Sequence, residues 1–159
     1  MVAEFENLCK KKIQSLENGG NSMQENCVFC KIIKGEIPSN CVYEDDDFKV
    51  ILDNGPANIG HLIMLSKRHC VNLFDLDEKS ASAGLKIAQK VGKALQKELG
   101  CEGINMLQNN GEAAGQSVFH YHIHLIPRYH QDQVNMTWTP GRYQEGEDQK
   151  LAQRIRQHF

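Results

Sequence analysis

The run His120-Tyr121-His122-Ile123-His124-Leu125-Ile126 alternates imidazoles with aromatic or apolar side chains. Successive side chains of a strand point to opposite faces. The spacing therefore predicts three histidines on one face and Tyr121, Ile123 and Leu125 on the other. The apolar face supplies packing, but packing gives no reason for the histidine face. Neutral imidazole can attack phosphorus, donate to an anionic oxygen or ligate a metal, so the row holds three potentially reactive groups. Alternate residues lie about 6.6–6.8 Å apart along a strand, which separates the outer two by about 13 Å. One phosphate or one ion does not span that distance, so the run is expected to divide between more than one task. A lone strand histidine would be an ordinary edge residue; three in register are not.

Two further groups carry chemistry. Just upstream, residues 109–117 read Asn-Asn-Gly-Glu-Ala-Ala-Gly-Gln-Ser. Gly111 and Gly115 let the backbone approach an anion closely, exposed N–H groups can form a phosphate nest, and Ser117 adds a hydroxyl. Such a loop is usually only a turn; its place directly before the histidines makes it a candidate phosphate cradle. Cys27-Val28-Phe29-Cys30 sets two soft ligands at a spacing common in tetrahedral zinc sites. A redox pair is the alternative, but no strand–helix–strand pattern of thioredoxin type follows it.

The elements expected to position these groups follow from periodicity and turn residues. Residues 4–16 read as a short amphipathic helix with Phe5, Leu8, Ile13 and Leu16 near one face, and residues 18–22 as a linker. Residues 1–22 are thus a leader without an assigned role, and residues 23–159 form the main domain with a polar C-terminal tail. Residues 27–34 form a compact turn or short helix ended by Gly35 and Pro38. Strands are expected at 42–44 and 48–52, joined by an acidic hairpin turn at 45–47, and at 61–65, 104–108 and 119–126, the last closed by Pro127. Between them, residues 77–99 are helical, with Leu85, Ala88, Leu95 and Leu99 at helical spacing and Gly100 as the stop. Gly84 and Gly92 weaken that helix by roughly 1 kcal/mol each relative to Ala, so close packing is their expected reason.

Composition narrows the function classes. The 18 basic and 20 acidic side chains leave a net charge of -2, so an anionic ligand must be held by local groups. Basic and aromatic residues do not cluster along one element, which argues against nucleic acid as a partner. No stretch approaches the length of a membrane span, and the N-terminus lacks a signal-peptide core, so a cytoplasmic location is expected. The six cysteines are then expected as reduced thiols or ligands, with Cys41 and Cys70 as small buried apolar residues.

The segment GQSVFHYHIHLIPR at residues 115–128 resembles the signature of the histidine-triad (HIT) family. CVFCKIIKGEIPS, VYEDD and GHLIMLSKRH are similar to that family's N-terminal half in the same order. The likeness covers roughly residues 27–130. It implies an α+β fold, with an antiparallel sheet of about five strands and one long helix. It also implies homodimers joined through that helix and the adjoining strand into a larger sheet, and a purine nucleotide as substrate. By resemblance His122 is the nucleophile that attacks the α-phosphate, its other nitrogen held by a backbone carbonyl, forming a nucleotidyl-histidine. His124 would hydrogen-bond the phosphate oxygens. Ser117 and Asn109 match positions that contact phosphate or orient the leaving group, with Gly115 and Gln116 beside them in the nucleotide-binding loop. Asp53 matches the carboxylate that accepts from the ribose hydroxyls, and Phe29 and Ile32 would sandwich the base. One branch of the family binds zinc, which implies Cys27, Cys30, His69 and His120 as structural ligands, with His61 the weaker alternative to His69. His120 would then turn to the metal while His122 and His124 face phosphate.

Two other readings use the same residues. In one, the three histidines hold a catalytic metal, which would require an open coordination position and a water nucleophile. In the other, the pocket only senses or scaffolds a nucleotide without turnover. Within the hydrolase reading, nucleoside phosphoramidates and dinucleoside polyphosphates both remain as substrates. Arg128 could assist a polyphosphate or be a plain strand-end arginine.

Overall fold

The computed structural model describes residues 25–159. The leader expected at residues 1–22 lies outside the described residues. Five strands form one antiparallel sheet in the order β1-β2-β3-β5-β4, with β1 at Cys41–Glu44, β2 at Phe48–Leu52, β3 at Leu62–Ser66, β4 at Gly103–Leu107 and β5 at His122–Arg128. Among the described residues, the main helices that accompany them are α1 at Val28–Lys34, α2 at Glu78–Leu99 and α3 at Glu147–Arg156.

Period-two alternation sorts the sheet into two faces. Phe48, Val50, Leu62, Met64, Tyr121, Ile123 and Leu125 pack with Ile87, Ala88 and Val91 of α2. On the other face Ile51, Ile63 and Leu65 meet Phe29 and Ile32 of α1. Each fully buried side chain of this kind contributes about 1.5–3 kcal/mol relative to exposure. The β3–β5 register places Ile63 opposite His124 and Leu65 opposite His122. Both histidines therefore share the face covered by α1, while their neighbours Tyr121, Ile123 and Leu125 anchor the strand on α2.

Helix α2 starts where Asp77 accepts from the Ser80 N–H at 2.9 Å and ends where Gly100 takes a left-handed φ of 61°. A Cβ on Gly84 would lie 3.3 Å from Phe48 Cζ, and one on Gly92 would lie 3.5 Å from Ile104 Cδ1. Close approach of helix and sheet thus accounts for Gly84, whereas the contact at Gly92 is an ordinary van der Waals distance that a methyl group would tolerate. The expected apolar face needs one correction. The buried positions are Gly84, Ile87, Ala88 and Val91, whereas Leu85 points outward and is 60% exposed. The Asp45 carboxylate closes the acidic hairpin by accepting the Asp47 and Phe48 N–H groups at 2.9 and 2.8 Å.

Two expectations for the histidine segment also change. Strand β5 begins at His122, so Phe119 and His120 precede the sheet, and it runs through Pro127 rather than closing there. Proline is tolerated because the β3 pairing stops at Leu125 while β4 alone pairs with Ile126, Pro127 and Arg128. On that open side the Pro127 carbonyl accepts from the Asn58 side chain at 2.8 Å. Arg128 is committed as well: its guanidinium grips the Asp132 carboxylate at 2.7 and 2.9 Å and donates to the Val134 carbonyl. It ties the outgoing chain to the sheet edge. The polar C-terminal tail contains α3, none of whose residues is buried, and Trp138 is exposed. Among the described residues, no helix is long and apolar enough to cross a membrane.

Candidate active site

His122 is buried on β5, and its Nδ1–H donates to the His120 carbonyl at 2.6 Å. That bond assigns the tautomer: Nδ1 carries the proton and Nε2 keeps its lone pair. Burial lowers the basicity of the ring, partly opposed by the same carbonyl, so the imidazole stays neutral at pH 7. The Phe29 ring stands edge-on to it with centroids 5.0 Å apart. Both Phe29 and Ile32 are buried and pack with Ile51, Ile63 and Leu65.

His124 lies beside it, ring centroids 5.0 Å apart, and is half-buried. Its Nδ1 is 2.9 Å from Nε2 of His61. Two groups approach Nδ1 of His61: the Ala57 N–H at 3.1 Å and the Asp53 carboxylate at 3.5 Å. The shorter contact requires a lone pair on Nδ1, and burial lowers the His61 pKa against the pull of Asp53. A neutral His61 protonated at Nε2 satisfies both facts. It then donates to His124 Nδ1, which leaves the His124 proton on Nε2, ready to donate to an anionic oxygen. Burial and the two flanking imidazoles push the His124 pKa down to about 4. Sequence reasoning missed this part of His61, which it weighed only as a weaker zinc ligand. The structure places His61 with Asp53 and His124, away from the cysteines. The available signal was the register of His61, Ile63 and Leu65 on one strand face, which acquires meaning only once β3 is known to pair with β5.

The second cluster brings Cys27 and Cys30 of the α1 end together with His69 and His120. Cys30 Sγ is 3.2 Å from His69 Nδ1, Cys27 Sγ is 3.4 Å from His120 Nδ1, and the two Nδ1 atoms are 3.2 Å apart. His120 donates from Nε2 to the Ser66 carbonyl at 2.7 Å, so its Nδ1 lone pair faces the cluster. Burial, then the neighbouring Cys27, pushes the Cys30 thiol up to about 12. Converging lone pairs and a suppressed Cys30 thiolate are unfavourable without a cation and favourable around one. A tetrahedron with metal bonds of about 2.0–2.3 Å has edges of about 3.3–3.8 Å, close to these separations. Two sulfurs and two nitrogens fit zinc, with no position left open for substrate. Of the cysteines outside the cluster, Cys70 is buried as expected, but Cys41 is exposed on edge strand β1.

Strand β4 ends with Leu107 opposite His124, so the glycine loop leaves the sheet beside the two histidines. Gly111 and Gly115 hold φ of 87° and 85°, backbone that L side chains rarely adopt. Buried Gln116 fixes the loop, since its Oε1 accepts the Gly111 N–H at 2.8 Å and its Nε2 donates to the Val71 and Val118 carbonyls. Asn109 donates to the Gly115 carbonyl at 3.3 Å. Ser117 is exposed at the wall of a cavity of about 440 Å³ shared with Cys27, Val28, His69 and Phe119.

A family model described as "HIT domain" matches residues 34–131. The chain is 46% identical over 105 residues to "Protein hit" of Bacillus subtilis (strain 168), covering 66% of this chain and 72% of that protein. It is 41% identical over 112 residues to "Adenylylsulfatase HINT3" of Arabidopsis thaliana, covering 70% of this chain but 57% of that protein. The crystal structure of a zinc-bound histidine triad family protein from Mycobacterium smegmatis matches with a TM-score of 0.67 at 34% identity, covering 84% of this chain and 99% of that one.

Proposed function

The chain belongs to the HIT domain family, in the branch that carries paired cysteines, and we propose that it is a hydrolase attacking the α-phosphate of a purine nucleotide with His122. The observation that carries this reading is the 2.6 Å bond from His122 Nδ1 to the His120 carbonyl. It orients a neutral, burial-protected nucleophile without any prior deprotonation. The Nε2 lone pair of His122 forms a bond to phosphorus as the bond to the leaving group breaks. The bonding pair departs with the leaving group, which takes a proton from solvent through the Ser117 hydroxyl when it is an amine. Water then displaces His122 from phosphorus, gives its proton to solvent and releases the nucleoside monophosphate.

His124, held by His61, donates its Nε2–H to a non-bridging oxygen and stabilises the charge that develops there. Asn109, Gly115 and Ser117 surround the phosphate, and Gln116 serves by holding their loop in shape. Asp53 accepts from the ribose. Phosphoramidates and dinucleoside polyphosphates both satisfy this attack, and the name of the Arabidopsis relative points to hydrolysis at an adenylyl group.

Zinc on Cys27, Cys30, His69 and His120 would fasten α1 to the segment entering β5. Its closed ligand set makes it structural, which favours the nucleophilic histidine over a catalytic metal on the triad. Pairing of two copies through the open edge of β4 and outward residues of α2, such as Leu85, would extend the sheet and cover that edge. Rapid quenching of an adenosine phosphoramidate labelled at the α-phosphorus should trap label on His122 of the wild type and none on His122→Ala. Turnover by His122→Ala at the wild-type rate would end the proposal. Light scattering should find a dimer at micromolar concentration.

A further inference from the structure

We infer that Cys27 and Cys30 are a peroxide-sensitive thiol pair whose closure to a disulfide empties the metal cluster and disarms His122; the second half rests on the hydrolase reading. The cluster and the nucleophile are joined at two points. His120 turns its Nδ1 to the cysteines, 3.4 Å from Cys27 Sγ and 3.5 Å from Cys30 Sγ. The backbone carbonyl of the same residue accepts from His122 Nδ1 at 2.6 Å, which leaves the His122 lone pair on Nε2. Phe29 is the second joint. It lies between the two cysteines in the chain, is buried, and stands edge-on to both rings, with centroids 5.0 Å from His122 and 5.9 Å from His120. A shift of either cysteine is thus passed to a residue that touches the nucleophile.

The two sulfurs differ in access. Cys30 is buried, whereas Cys27 is partly exposed and lines the cavity of about 440 Å³ with Asn26, Ser117 and Phe119. A small oxidant entering that cavity meets Cys27 first. Cys30 stands behind it as the resolving thiol, since the four ligand atoms of the cluster lie within 4.8 Å of one another. In the metal-loaded protein both sulfurs are thiolates. The Cys27 thiolate attacks one oxygen of hydrogen peroxide, the O–O bond breaks, hydroxide leaves and a sulfenic acid forms. The Cys30 thiolate then attacks the Cys27 sulfur, the S–O bond breaks and a second hydroxide departs. The pair of thiolates loses two electrons to one peroxide, and two protons from solvent turn both hydroxides into water. A disulfide has no thiolate to offer a cation, so only His69 and His120 remain as ligands. The S–S bond of about 2.05 Å also draws together sulfurs that a tetrahedral cation holds about 3.8 Å apart. His120 and Phe29 both lose their fixed setting beside His122.

The test uses the zinc-loaded full chain, as wild type and as Cys41→Ala, which removes an exposed thiol outside the cluster. Hydrogen peroxide should release about one zinc per chain to a chromogenic chelator in both proteins. Peptide mapping should find a disulfide between Cys27 and Cys30, and dithiothreitol with added zinc should reverse both changes. The proton resonance of His122 Nδ1–H should shift or broaden on oxidation. Misplacing a nucleophile by about 1 Å costs up to about 10²-fold, so kcat for an adenosine phosphoramidate should fall by about tenfold or more and recover on reduction. Cys27→His, with four ligands but one thiol, should keep its metal under the same treatment, judged against its own untreated state. Mapping of the wild type decides the pairing even where that variant does not fold. Zinc release with both cysteines still reduced overturns the pair, as does a wild type whose thiols and metal survive peroxide. A disulfide that leaves the His122 resonance and kcat unchanged overturns the coupling. Absence of phosphoramidate turnover in the untreated wild type overturns the hydrolase reading, while zinc release, mapping and the resonance still decide the switch.

Discussion

His120 and His124 are four residues apart, yet they stand in different surroundings. His120 precedes the strand, is fully shielded, and turns its Nδ1 to two cysteines and His69. His124 lies within the strand, half-buried, with its Nδ1 held by His61 and a carboxylate behind. His122 sits between them and is held by the His120 backbone. The same imidazole is thus placed to act as a ligand at one end and as a donor at the other, and its hydrogen-bond partner selects which nitrogen is free. A repeated residue type in a signature does not imply a repeated role.

Substitutions along the run should separate the two ends. The largest effect is expected at the centre: His122→Ala should lower turnover of an adenosine phosphoramidate by about 10⁴-fold or more, since it removes the reaction path itself. Nucleotide affinity by calorimetry should stay largely intact. At the substrate end, His124→Ala should slow the reaction about 10²–10³-fold, the cost of one donor to developing charge. Equal losses at both positions would erase the distinction between nucleophile and donor.

At the metal end the readout shifts from rate to stability. Cys30→Ala should lose the zinc, about one per chain in the wild type by elemental analysis, and lower the melting temperature. It should disturb nucleotide contacts less than His124→Ala does. Fully folded wild type that purifies without metal would remove the comparison's first half. His120→Ala should resemble Cys30→Ala in stability, because the side chain contributes through the cluster.

A smaller effect is expected from pH. His124 in the folded chain has a pKa depressed to about 4, and those of His61 and His122 are also lowered by burial. A depressed histidine pKa means the unfolded chain takes up protons first. The stability these neutral rings contribute is complete above about pH 6.5 and is lost as pH falls towards 4. Melting temperatures of wild type and His124→Ala should therefore converge on acidification across that window. Parallel curves would show that the ring is not held neutral.

Much of this site was legible in the chain because its chemistry is local. Alternation across residues 121–125 separates histidine and packing faces, and the observed clusters keep that separation. The spacing of Cys27 and Cys30, the two positive-φ glycines before Ser117 and the capped helix from Asp77 to Gly100 are likewise short-range patterns. Other features depend on pairing. Leu85 fits the helical repeat but misses the buried arc, and α3 has no buried residue to mark it as part of a packed layer. Cys41 looks apolar in sequence and is exposed because β1 is an edge strand.

By itself the sequence determined which residue types stand on which face, since side-chain direction follows from backbone period within a few residues. The resemblance carried by residues 115–128 also singled out His122 as the proposed nucleophile, because that motif is contiguous in the chain. Tertiary structure alone decided the tautomers. His61 meets His124 across the β3–β5 register, and His120 meets Cys27 and Cys30 across about ninety residues of chain. A neutral imidazole offers one lone pair and one proton, and only a group brought there by folding fixes which nitrogen carries each.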